Sequence, residues 1–309
     1  MPKRLLIVDD LHPAFKQEAE AIGYTVTDEP LFTREQTLAV IKDYEGLAIR
    51  TKFQVDRELI DAAPNLKWIA RAGAGMDNVD EAYAQLKGLV CLNAAEGNAD
   101  AVGEHALGML LSLMNKLRQA DEEVRQGIWD REGNRGWELK GRTVGIIGYG
   151  HMGRSFAHKL QGFGVQVMAY DKYKTGFSDD YAREVSMEEI VKYSEVLSLH
   201  IPLTRETRQL VNEEYLFHFR KPIFFLNTSR GEIVNTDAIL KAIQAGKILG
   251  AGLDVLEVEK FPALAGQSWY PELIASDKVL LSPHVAGWTQ ESYRKISEVL
   301  AGKLKNLQI

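Results

Sequence analysis

The amino-acid sequence predicts an α/β protein of two domains built on parallel sheets. The first observation is its length of 309 residues, because single domains commonly run to ~100–200 residues. The second is an alternation of short apolar runs with amphipathic segments, which is typical of strands joined by helices. The third is a glycine-rich turn between two apolar runs at 143–171. We predict one domain at 1–99 with 284–309 and a second at 100–283.

The first hundred residues show this alternation in order. Residues 4–8 form an apolar run, and Pro13–Ala21 has helical character and is followed by Gly23. Thr33 and Gln36 have capping-box spacing, which predicts the start of a helix. Further strands are predicted at 24–27, 47–49, 68–70 and 90–92, and a helix at 59–62. A helix near 101–117 is apolar on all sides, which indicates burial between domains or subunits.

The second domain is predicted to open with a dinucleotide-binding unit. Val144–Ile147 is apolar and leads into a G-x-G-x-x-G turn whose glycines are Gly148, Gly150 and Gly153. These glycines permit the tight turn, the approach of a pyrophosphate and close packing of helix on strand. Asp171 ends the next strand, where its carboxylate can bind an adenosine ribose and repels a 2′-phosphate. We expect bound NAD, the alternative being a βαβ unit that binds nothing.

Polar residues follow the predicted strands of this domain. Strands are predicted at 165–170, 196–200, 223–227, 248–253 and 279–282, and helices at 154–160, 236–245 and 290–307, with a further helix capped by Ser186. The polar strand-end residues are Gly148, Asp171, His200, Asn227–Arg230, Asp254 and His284. Ligands of doubly wound sheets bind outside the carboxyl ends of the strands, so these residues are expected to converge on one crevice.

Composition excludes several classes of partner. A formal net charge of −6 argues against binding to nucleic acid or to an anionic membrane. Cys91 is the only cysteine, so a disulfide framework within the chain is excluded, and a cytoplasmic location is expected. The apolar run at 5–8 is too short for a signal peptide. No metal site is predicted.

Five motifs in register carry a family resemblance. They are Arg71–Asp80, Gly148–Gly153, Asn227–Gly231, Gly252–Val255 with Glu259, and Ser282–His284. Together they resemble the D-isomer-specific 2-hydroxyacid dehydrogenases over essentially the whole chain. The resemblance implies a Rossmann NAD-binding domain, a flavodoxin-like substrate domain and a homodimer formed through the NAD-binding domain. It also implies hydride transfer between the nicotinamide and a D-2-hydroxy or 2-keto acid, and the end of the chain soon after His284 leads us to expect no C-terminal regulatory domain.

The resemblance implies a catalytic trio of Arg230, Glu259 and His284. An arginine can hold a substrate carboxylate bidentately at any working pH. The histidine can exchange a proton with the reacting oxygen, and the glutamate can orient the imidazole. Two departures from the family pattern are Lys260, where proline is usual, and Trp288, where small residues are common.

The cofactor-binding residues implied by the resemblance are numerous. They are Gly148, Gly150, His151, Met152, Gly153, Asp171, His200, Pro202, Thr228, Ser229, Arg230, Asp254, His284 and Gly287. Within this set, His151 and Met152 lie beside the pyrophosphate, and Asp254 faces the carboxamide. His200 and Pro202 are expected on the adenosine side, with an ordinary strand-end turn as the alternative.

The predicted substrate site lies in the first domain. Backbone N–H groups at Ala74 and Gly75 can form an anion nest for the substrate carboxylate. Arg50, Lys52 and Arg71 follow two strands and can attract a phosphate, although they can equally be solvated surface cations. The expected substrate is 3-phosphoglycerate, an intermediate of serine biosynthesis, or in reverse 3-phosphohydroxypyruvate. Asn98 either contacts the nicotinamide or caps the apolar helix.

Two other functions remain open at the level of sequence. The same chemistry could act on a small unphosphorylated acid such as glyoxylate, hydroxypyruvate or a D-lactate type. A dinucleotide-sensing corepressor shares the fold, although no partner-recognition segment in the sequence favours it. A panel of keto acids separates these possibilities.

Overall fold

The computed structural model describes residues 3–307. The first part of the chain forms β1 (Lys3–Ile7), α1 (Pro13–Ala21), β2 (Tyr24–Asp28), α2 (Arg34–Val40), β3 (Gly46–Ile49), α3 (Arg57–Asp61), β4 (Trp68–Arg71), α4 (Glu81–Leu86), β5 (Val90–Leu92) and α5 (Ala95–Met114). The remainder forms α6 (Leu117–Arg125), β6 (Thr143–Ile147), α7 (His151–Lys159), β7 (Gln166–Tyr170), β8 (Arg183–Glu184), α8 (Met187–Tyr193), β9 (Val196–Leu199), α9 (Glu213–Phe217), β10 (Ile223–Asn227), α10 (Thr236–Gln244), β11 (Ile248–Leu253), α11 (Tyr270–Ala275), β12 (Val279–Leu281) and α12 (Gln290–Lys305).

The chain divides into two compact units that are discontinuous in sequence. The first comprises Met1–Ala99 with Trp288–Ile309, and the second comprises Asp100–Gly287. The two ends of the predicted first domain, residues 1–2 and 308–309, lie outside the described residues. The second change of unit falls between Gly287 and Trp288, and the predicted boundary is at residue 284.

The first unit contains a five-stranded parallel sheet in the order β2-β1-β3-β4-β5. This order is that of flavodoxin-like folds, in which the chain runs outward in both directions from a central pair of strands. The last helix, α12, packs against α1 and buries Ile296, Leu300 and Leu304 in the core that contains Phe15. Burial of this apolar stripe accounts for the return of the C-terminal segment to the first unit.

The second unit contains a seven-stranded parallel sheet in the order β12-β11-β10-β9-β6-β7-β8. Strands β6 and β9 are neighbours although two strands separate them in sequence, so the direction of winding reverses there. This is the Rossmann order, and a crevice for a dinucleotide lies outside the carboxyl ends of the strands at such a reversal. The two predicted fold types are therefore confirmed.

Several local predictions match the structure closely. The strands Ile223–Asn227 and Ile248–Leu253 have the predicted bounds, because fully apolar runs mark strands buried on both faces. The Thr33–Gln36 capping box is formed, and Ser186 caps its helix with Glu189.

The helix predicted near 101–117 is present, with different bounds. It runs from Ala95 to Met114, and Glu104 and Gly108 on it are exposed. Gly97 lies inside the helix, where an added Cβ would approach the backbone of Ile296 to 2.7 Å. Among residues 3–307, no helix combines the length and the apolar character needed to cross a membrane.

Candidate active site

The glycine-rich turn after β6 has a geometry that only glycine satisfies at two of its positions. Gly148 has φ +91°, and an added Cβ would lie 2.4 Å from the carbonyl oxygen of His200. A Cβ on Gly153 would lie 2.1 Å from the carbonyl oxygen of Gly148, so this glycine allows α7 to pack against the turn. Gly150 has no atom within 4 Å of the equivalent point, which leaves its face open. That open face is where a pyrophosphate can approach the backbone.

The N-terminus of α7 is arranged for an anion. Gly150 occupies the N-cap position and supplies no side-chain hydrogen bond to the first turn. The amides of a helix's first turn have no partner within the helix, and the helix dipole favours negative charge there. His151, which is exposed, and Met152, which is half-buried, occupy this turn as the sequence predicts.

Asp171 follows β7 directly, and its carboxylate connects the glycine turn to the segment after β7. Its carboxylate accepts the backbone N–H of Tyr149 at 2.9 Å and that of Tyr173 at 3.0 Å. Of the two nearby lysines, Lys172 pairs with Glu206, and Lys174 donates to the carbonyl of Tyr149 at 2.8 Å. Lys172 is thus paired with a carboxylate, whereas Lys174, bound to a neutral carbonyl, keeps its full charge beside the glycine turn.

Polar groups at the ends of β9 and β10 are connected by hydrogen bonds. Ser229 donates its N–H to the side chain of Asn227 at 3.0 Å and its hydroxyl to the carbonyl of Leu199 at 2.7 Å. His200 forms a 2.9 Å hydrogen bond with Ser198, and burial lowers the pKa of its imidazole to about 3. The imidazole of His200 is therefore neutral at physiological pH. Pro202 is exposed two residues further on.

Thr228 carries an unpaired polar atom. Its hydroxyl oxygen is buried and has no hydrogen-bond partner among the described residues. Together with the open face at Gly150 and the uncapped start of α7, this atom fits a polar ligand that extends along the strand ends. These residues accordingly fit a dinucleotide.

Asp254, at the end of β11, holds the loop that follows β12. Its buried carboxylate accepts the hydroxyl of Ser282 at 2.5 Å and the backbone N–H groups of Val285 and Ala286, each at 2.9 Å. Its own carbonyl accepts the N–H of His284 at 2.7 Å. The loop carrying His284 is therefore fixed by Asp254 on both sides of the histidine.

His284 and Glu259 form a direct pair. The Nδ1 atom of His284 lies 2.9 Å from the Oε2 atom of Glu259. Both side chains are roughly two-fifths exposed, 44% for the histidine and 39% for the glutamate, so a ligand can reach them. His284 has φ +55°, a left-handed conformation uncommon outside glycine.

Arg230, Glu259 and His284 occupy the loops after three adjacent strands. Asn227 at the end of β10 is paired with Leu253 of β11, which in turn is paired with Leu281 of β12. Arg230 donates through Nη1 to the carbonyl of Ser229 at 2.7 Å. A Cβ on Gly231 would lie 1.9 Å from the Leu256 carbonyl, so the loop after β10 packs closely on the loop after β11. The three predicted catalytic residues therefore lie at one edge of the sheet.

The three predicted substrate cations in the first unit differ in the contacts they make. Arg50 follows β3 and Arg71 ends the neighbouring strand β4, and Ile49 of β3 is paired with Arg71. Lys52 donates instead to the backbone carbonyls of Val8 and Pro30. The Arg50 guanidinium lies over the ring of Trp288, 3.4 Å from its centre.

The predicted anion nest has free donors. Among residues 3–307, no acceptor is found for the N–H groups of Ala74 and Gly75, and the carbonyl of Ala74 is held by the Asn93 side chain at 2.9 Å. Asn98 lies inside α5 and not at its N-cap, so the prediction of a capping role is wrong. Its side-chain oxygen is buried and has no partner within the described part of the chain.

Two further contacts, one in each unit, involve His105 and Asp9, which are not among the predicted site residues. The Nε2 atom of His105 lies 2.9 Å from the hydroxyl of Ser282. Asp9 accepts the consecutive N–H groups of Arg50, Thr51 and Lys52 at 2.9–3.1 Å. Neither contact has a local sequence pattern, because the partners are far apart in the chain. Within the described chain, no group of three or more His, Cys, Asp or Glu side chains could hold a metal ion.

Comparison with known proteins identifies the family. Residues 107–286 match the model of the "D-isomer specific 2-hydroxyacid dehydrogenase, NAD binding domain". A hydroxypyruvate reductase of Thermotoga maritima is 33% identical over 281 residues, covering 90% of this chain and 89% of the relative. A glyoxylate reductase of Thermofilum pendens is 34% identical, covering 88% and 80%. A D-3-phosphoglycerate dehydrogenase of Archaeoglobus fulgidus is 34% identical, covering 92% of this chain but only 53% of that protein.

Solved structures agree with this assignment. The D-lactate dehydrogenase of Aquifex aeolicus, determined with NAD and lactic acid, has a TM-score of 0.81 at 28% identity and covers 98% of this chain and 94% of that one. A glyoxylate reductase from Paecilomyes thermophila has a TM-score of 0.87 at 26% identity, with coverages of 99% and 95%. The chain therefore belongs to the D-isomer-specific 2-hydroxyacid dehydrogenases, a family of NAD-dependent oxidoreductases.

Proposed function

We propose that this chain reduces a small, unphosphorylated 2-keto acid to the D-2-hydroxy acid, with Arg230, Glu259 and His284 as its catalytic residues. The observation that carries the proposal is the 2.9 Å contact between His284 Nδ1 and Glu259 Oε2 at the carboxyl edge of the second sheet. Bound NADH supplies the hydride, and the protein supplies orientation and the proton.

The contact with Glu259 assigns the two nitrogens of His284. A carboxylate only accepts hydrogen bonds, so Nδ1 carries a proton and Nε2 faces away from the glutamate. In the reduction direction the imidazolium donates its Nε2 proton to the carbonyl oxygen of the keto acid. In the oxidation direction the neutral ring accepts the hydroxyl proton at the same atom. Glu259 stabilises the charged ring in either direction.

Arg230 is proposed to hold the substrate carboxylate. Its Nη1 atom donates to the carbonyl of Ser229, which orients the planar guanidinium. Such a fork binds a carboxylate through two parallel hydrogen bonds. In the first unit, we propose that polar substrate contacts come from the N–H groups of Ala74 and Gly75 and from the buried side-chain oxygen of Asn98.

The preference for an unphosphorylated substrate rests on the first unit's cations. Lys52 is held by the Val8 and Pro30 carbonyls. Arg50 is stacked on Trp288, and burial lowers the pKa of its guanidinium while the charges of Asp9 and Asp10 oppose that shift. A doubly charged phosphate needs several convergent cations, and the ammonium group of Lys52 is directed instead at backbone carbonyls. This chain also covers most of the length of relatives named hydroxypyruvate reductase and glyoxylate reductase, 89% and 80% respectively.

A second candidate is the oxidation of 3-phosphoglycerate. It is supported by relatives named D-3-phosphoglycerate dehydrogenase at 31–34% identity, although the chain spans only 53–57% of their length. Arg50 and Arg71 at adjacent strand ends would be the phosphate contacts. Replacing each with Met separates the candidates, because KM for a phosphorylated acid should rise far more than KM for glyoxylate if phosphate is bound there.

The cofactor contacts proposed from the sequence follow the second unit's strand ends. The turn of Gly148, Gly150 and Gly153 with His151 and Met152 is proposed for the diphosphate, and Asp171 for the adenosine ribose. Thr228, Ser229, Asp254 and Gly287 are proposed for the nicotinamide half, and His200 and Pro202 for the adenosine side. Support comes from the buried, unpaired hydroxyl oxygen of Thr228 and the open start of α7.

A homodimer through the second unit forms part of the proposal. Several large apolar side chains are exposed in α6, namely Leu117 and Val124, and in the segment after it, namely Ile128 and Trp129, the last of which is 77% exposed. Aromatic and aliphatic side chains of this kind are enriched in subunit interfaces. Light scattering of the wild-type chain and of Trp129→Glu tests it, since a dimer should weaken in the variant. A cytoplasmic location is also proposed, consistent with a single free cysteine.

The catalytic proposal is tested by following the absorbance of reduced nicotinamide. Wild-type protein should reduce glyoxylate and hydroxypyruvate with NADH, and His284→Gln should lose at least ~10²-fold in kcat while still binding NADH. Glu259→Gln should keep an acceptor for the Nδ1 proton but lose the carboxylate charge, so its loss in kcat should be smaller than that of His284→Gln. NAD binding without turnover of any keto acid would contradict the proposal and favour a sensing role.

A further inference from the structure

We propose that His105 on α5 is a positioning residue for His284 and acts through Ser282 and Asp254. The proposal rests on the catalytic role of His284 proposed above. His105 is absent from the predicted cofactor and substrate contacts, yet its imidazole lies 2.9 Å from Ser282, two residues before His284. All four residues belong to the second unit.

The direction of this hydrogen-bond chain follows from the donors available. Both carboxylate oxygens of Asp254 accept backbone N–H groups, Oδ1 from Val285 and Oδ2 from Ala286. The single proton of the Ser282 hydroxyl therefore points to Asp254 Oδ1 at 2.5 Å. With its proton committed, the Ser282 oxygen must accept from His105, so the Nε2 atom of His105 carries hydrogen. His105 thus donates to Ser282, and Ser282 donates to Asp254.

The chain ends at the groups that hold His284 in an unusual backbone conformation. A non-glycine residue at φ +55° persists only where its surroundings hold it. The N–H of His284 is bound by the carbonyls of Asp254 at 2.7 Å and Ser282 at 3.1 Å. The next two residues are bound by the Asp254 carboxylate. Asp254 and Ser282 therefore constrain the backbone on both sides of the imidazole.

Removal of the His105 donor should loosen this arrangement without touching the catalytic groups. The Ser282 oxygen would lose its donor, and its hydroxyl could rotate away from Asp254. Asp254 would then hold the loop with fewer partners, and the imidazole of His284 would spend less time in the geometry needed for proton transfer. A displacement of about 1 Å at a reacting group is enough to lower a rate substantially.

The experiment compares His105→Leu, which removes the donor, with His105→Gln, which places an amide N–H near the position of Nε2. His218→Leu, at an exposed histidine after α9, is the control for the loss of an imidazole. Hydrogen exchange of the amides of Val285 and Ala286 is measured in the full chain with and without NAD. Turnover of glyoxylate is measured in parallel, together with the Kd for NADH.

We expect His105→Leu to speed exchange at 285 and 286 by about threefold or more, as in local opening. We expect kcat to fall by about three- to tenfold with KM and the Kd for NADH within about twofold. His105→Gln should restore most of the exchange protection and most of kcat. Ser282→Ala should match His105→Leu in both measurements, with little further loss in the double variant.

Each of the following results would overturn the proposal: wild-type exchange and kcat in His105→Leu, equal losses in His105→Leu and His105→Gln, or additive losses in the double variant. Loss of kcat together with a large fall in Tm would likewise assign His105 a purely structural role. A wild-type chain that turns over no keto acid, while His105→Leu still speeds exchange at 285 and 286, would contradict the proposed function and support the positioning contact.

Discussion

The guanidinium carbon of Arg50 lies 3.4 Å from the centre of the Trp288 ring, within the first unit of the chain. The ring of Trp288 also meets that of Tyr293 edge-on at 5.3 Å, and Tyr293 donates its hydroxyl to Asp10 at 2.8 Å. The bulky residue at 288, which departs from the family pattern, therefore covers one flat face of a predicted substrate cation. Stacking of this kind stabilises arginine in one orientation.

We predict that Trp288→Ser releases Arg50 for phosphate binding. The KM for 3-phosphohydroxypyruvate should fall by roughly three- to tenfold, in line with the energy of a cation–π contact, while the KM for glyoxylate changes little. Steady-state kinetics on both acids provide the measurement, with Leu86→Ser, at an exposed apolar residue of the same unit, as the control. Equal changes for both substrates would show that Trp288 does not control the charge available to the substrate.

We predict that Asp171→Asn weakens NAD binding and narrows the preference over NADP. The substitution removes the charge that repels a 2′-phosphate and weakens the contacts to the amides of Tyr149 and Tyr173. The Kd for NADH should rise by about tenfold, equivalent to ~1.4 kcal/mol. The ratio of the Kd for NADPH to the Kd for NADH should fall. Titration of nicotinamide fluorescence measures both, and Asp180→Asn, at an exposed acid, should leave them unchanged.

We predict different effects for alanine substitutions at two glycines of the same turn. Gly148→Ala places a Cβ 2.4 Å from a backbone carbonyl at φ +91°, so the free energy of unfolding should fall by about 2–4 kcal/mol. Gly150→Ala meets no protein atom within 4 Å, so stability should be nearly unchanged while NADH affinity falls. Denaturant unfolding and NADH titration separate the two effects. A stable Gly148→Ala variant would contradict the turn geometry.

We predict that His200 makes the protein less stable as pH falls from about 6.5 to 3. Burial lowers the pKa of its imidazole to about 3 from 6.5, so the unfolded chain binds a proton in this window that the folded chain excludes. Stability is therefore complete above pH 6.5 and decreases towards pH 3, by at most about 1.4 kcal/mol per pKa unit. Unfolding of wild type and His200→Gln from pH 4 to 7 tests this, since the variant should show a shallower slope.

Local patterns in the sequence predicted elements of both units. Fully apolar runs located β10 and β11, and the capping boxes at Thr33 and Ser186 formed as their spacing indicated. The start of α5 was missed because Gly97 reads as a break in a helix. In the structure that glycine lies where the backbone of Ile296 passes close by, a reason that comes from residues far away in the chain.

The sequence alone determined the fold class, the family and the residues at the strand ends, because these depend on the chemistry and order of neighbouring residues. Only the tertiary structure decided which partners those residues meet. It stacked Arg50 on Trp288, turned Lys52 to the Val8 and Pro30 carbonyls, and linked His105 to the loop of His284. Such contacts join residues up to 238 positions apart, and no local spacing encodes them, because they depend on how strands and helices pack.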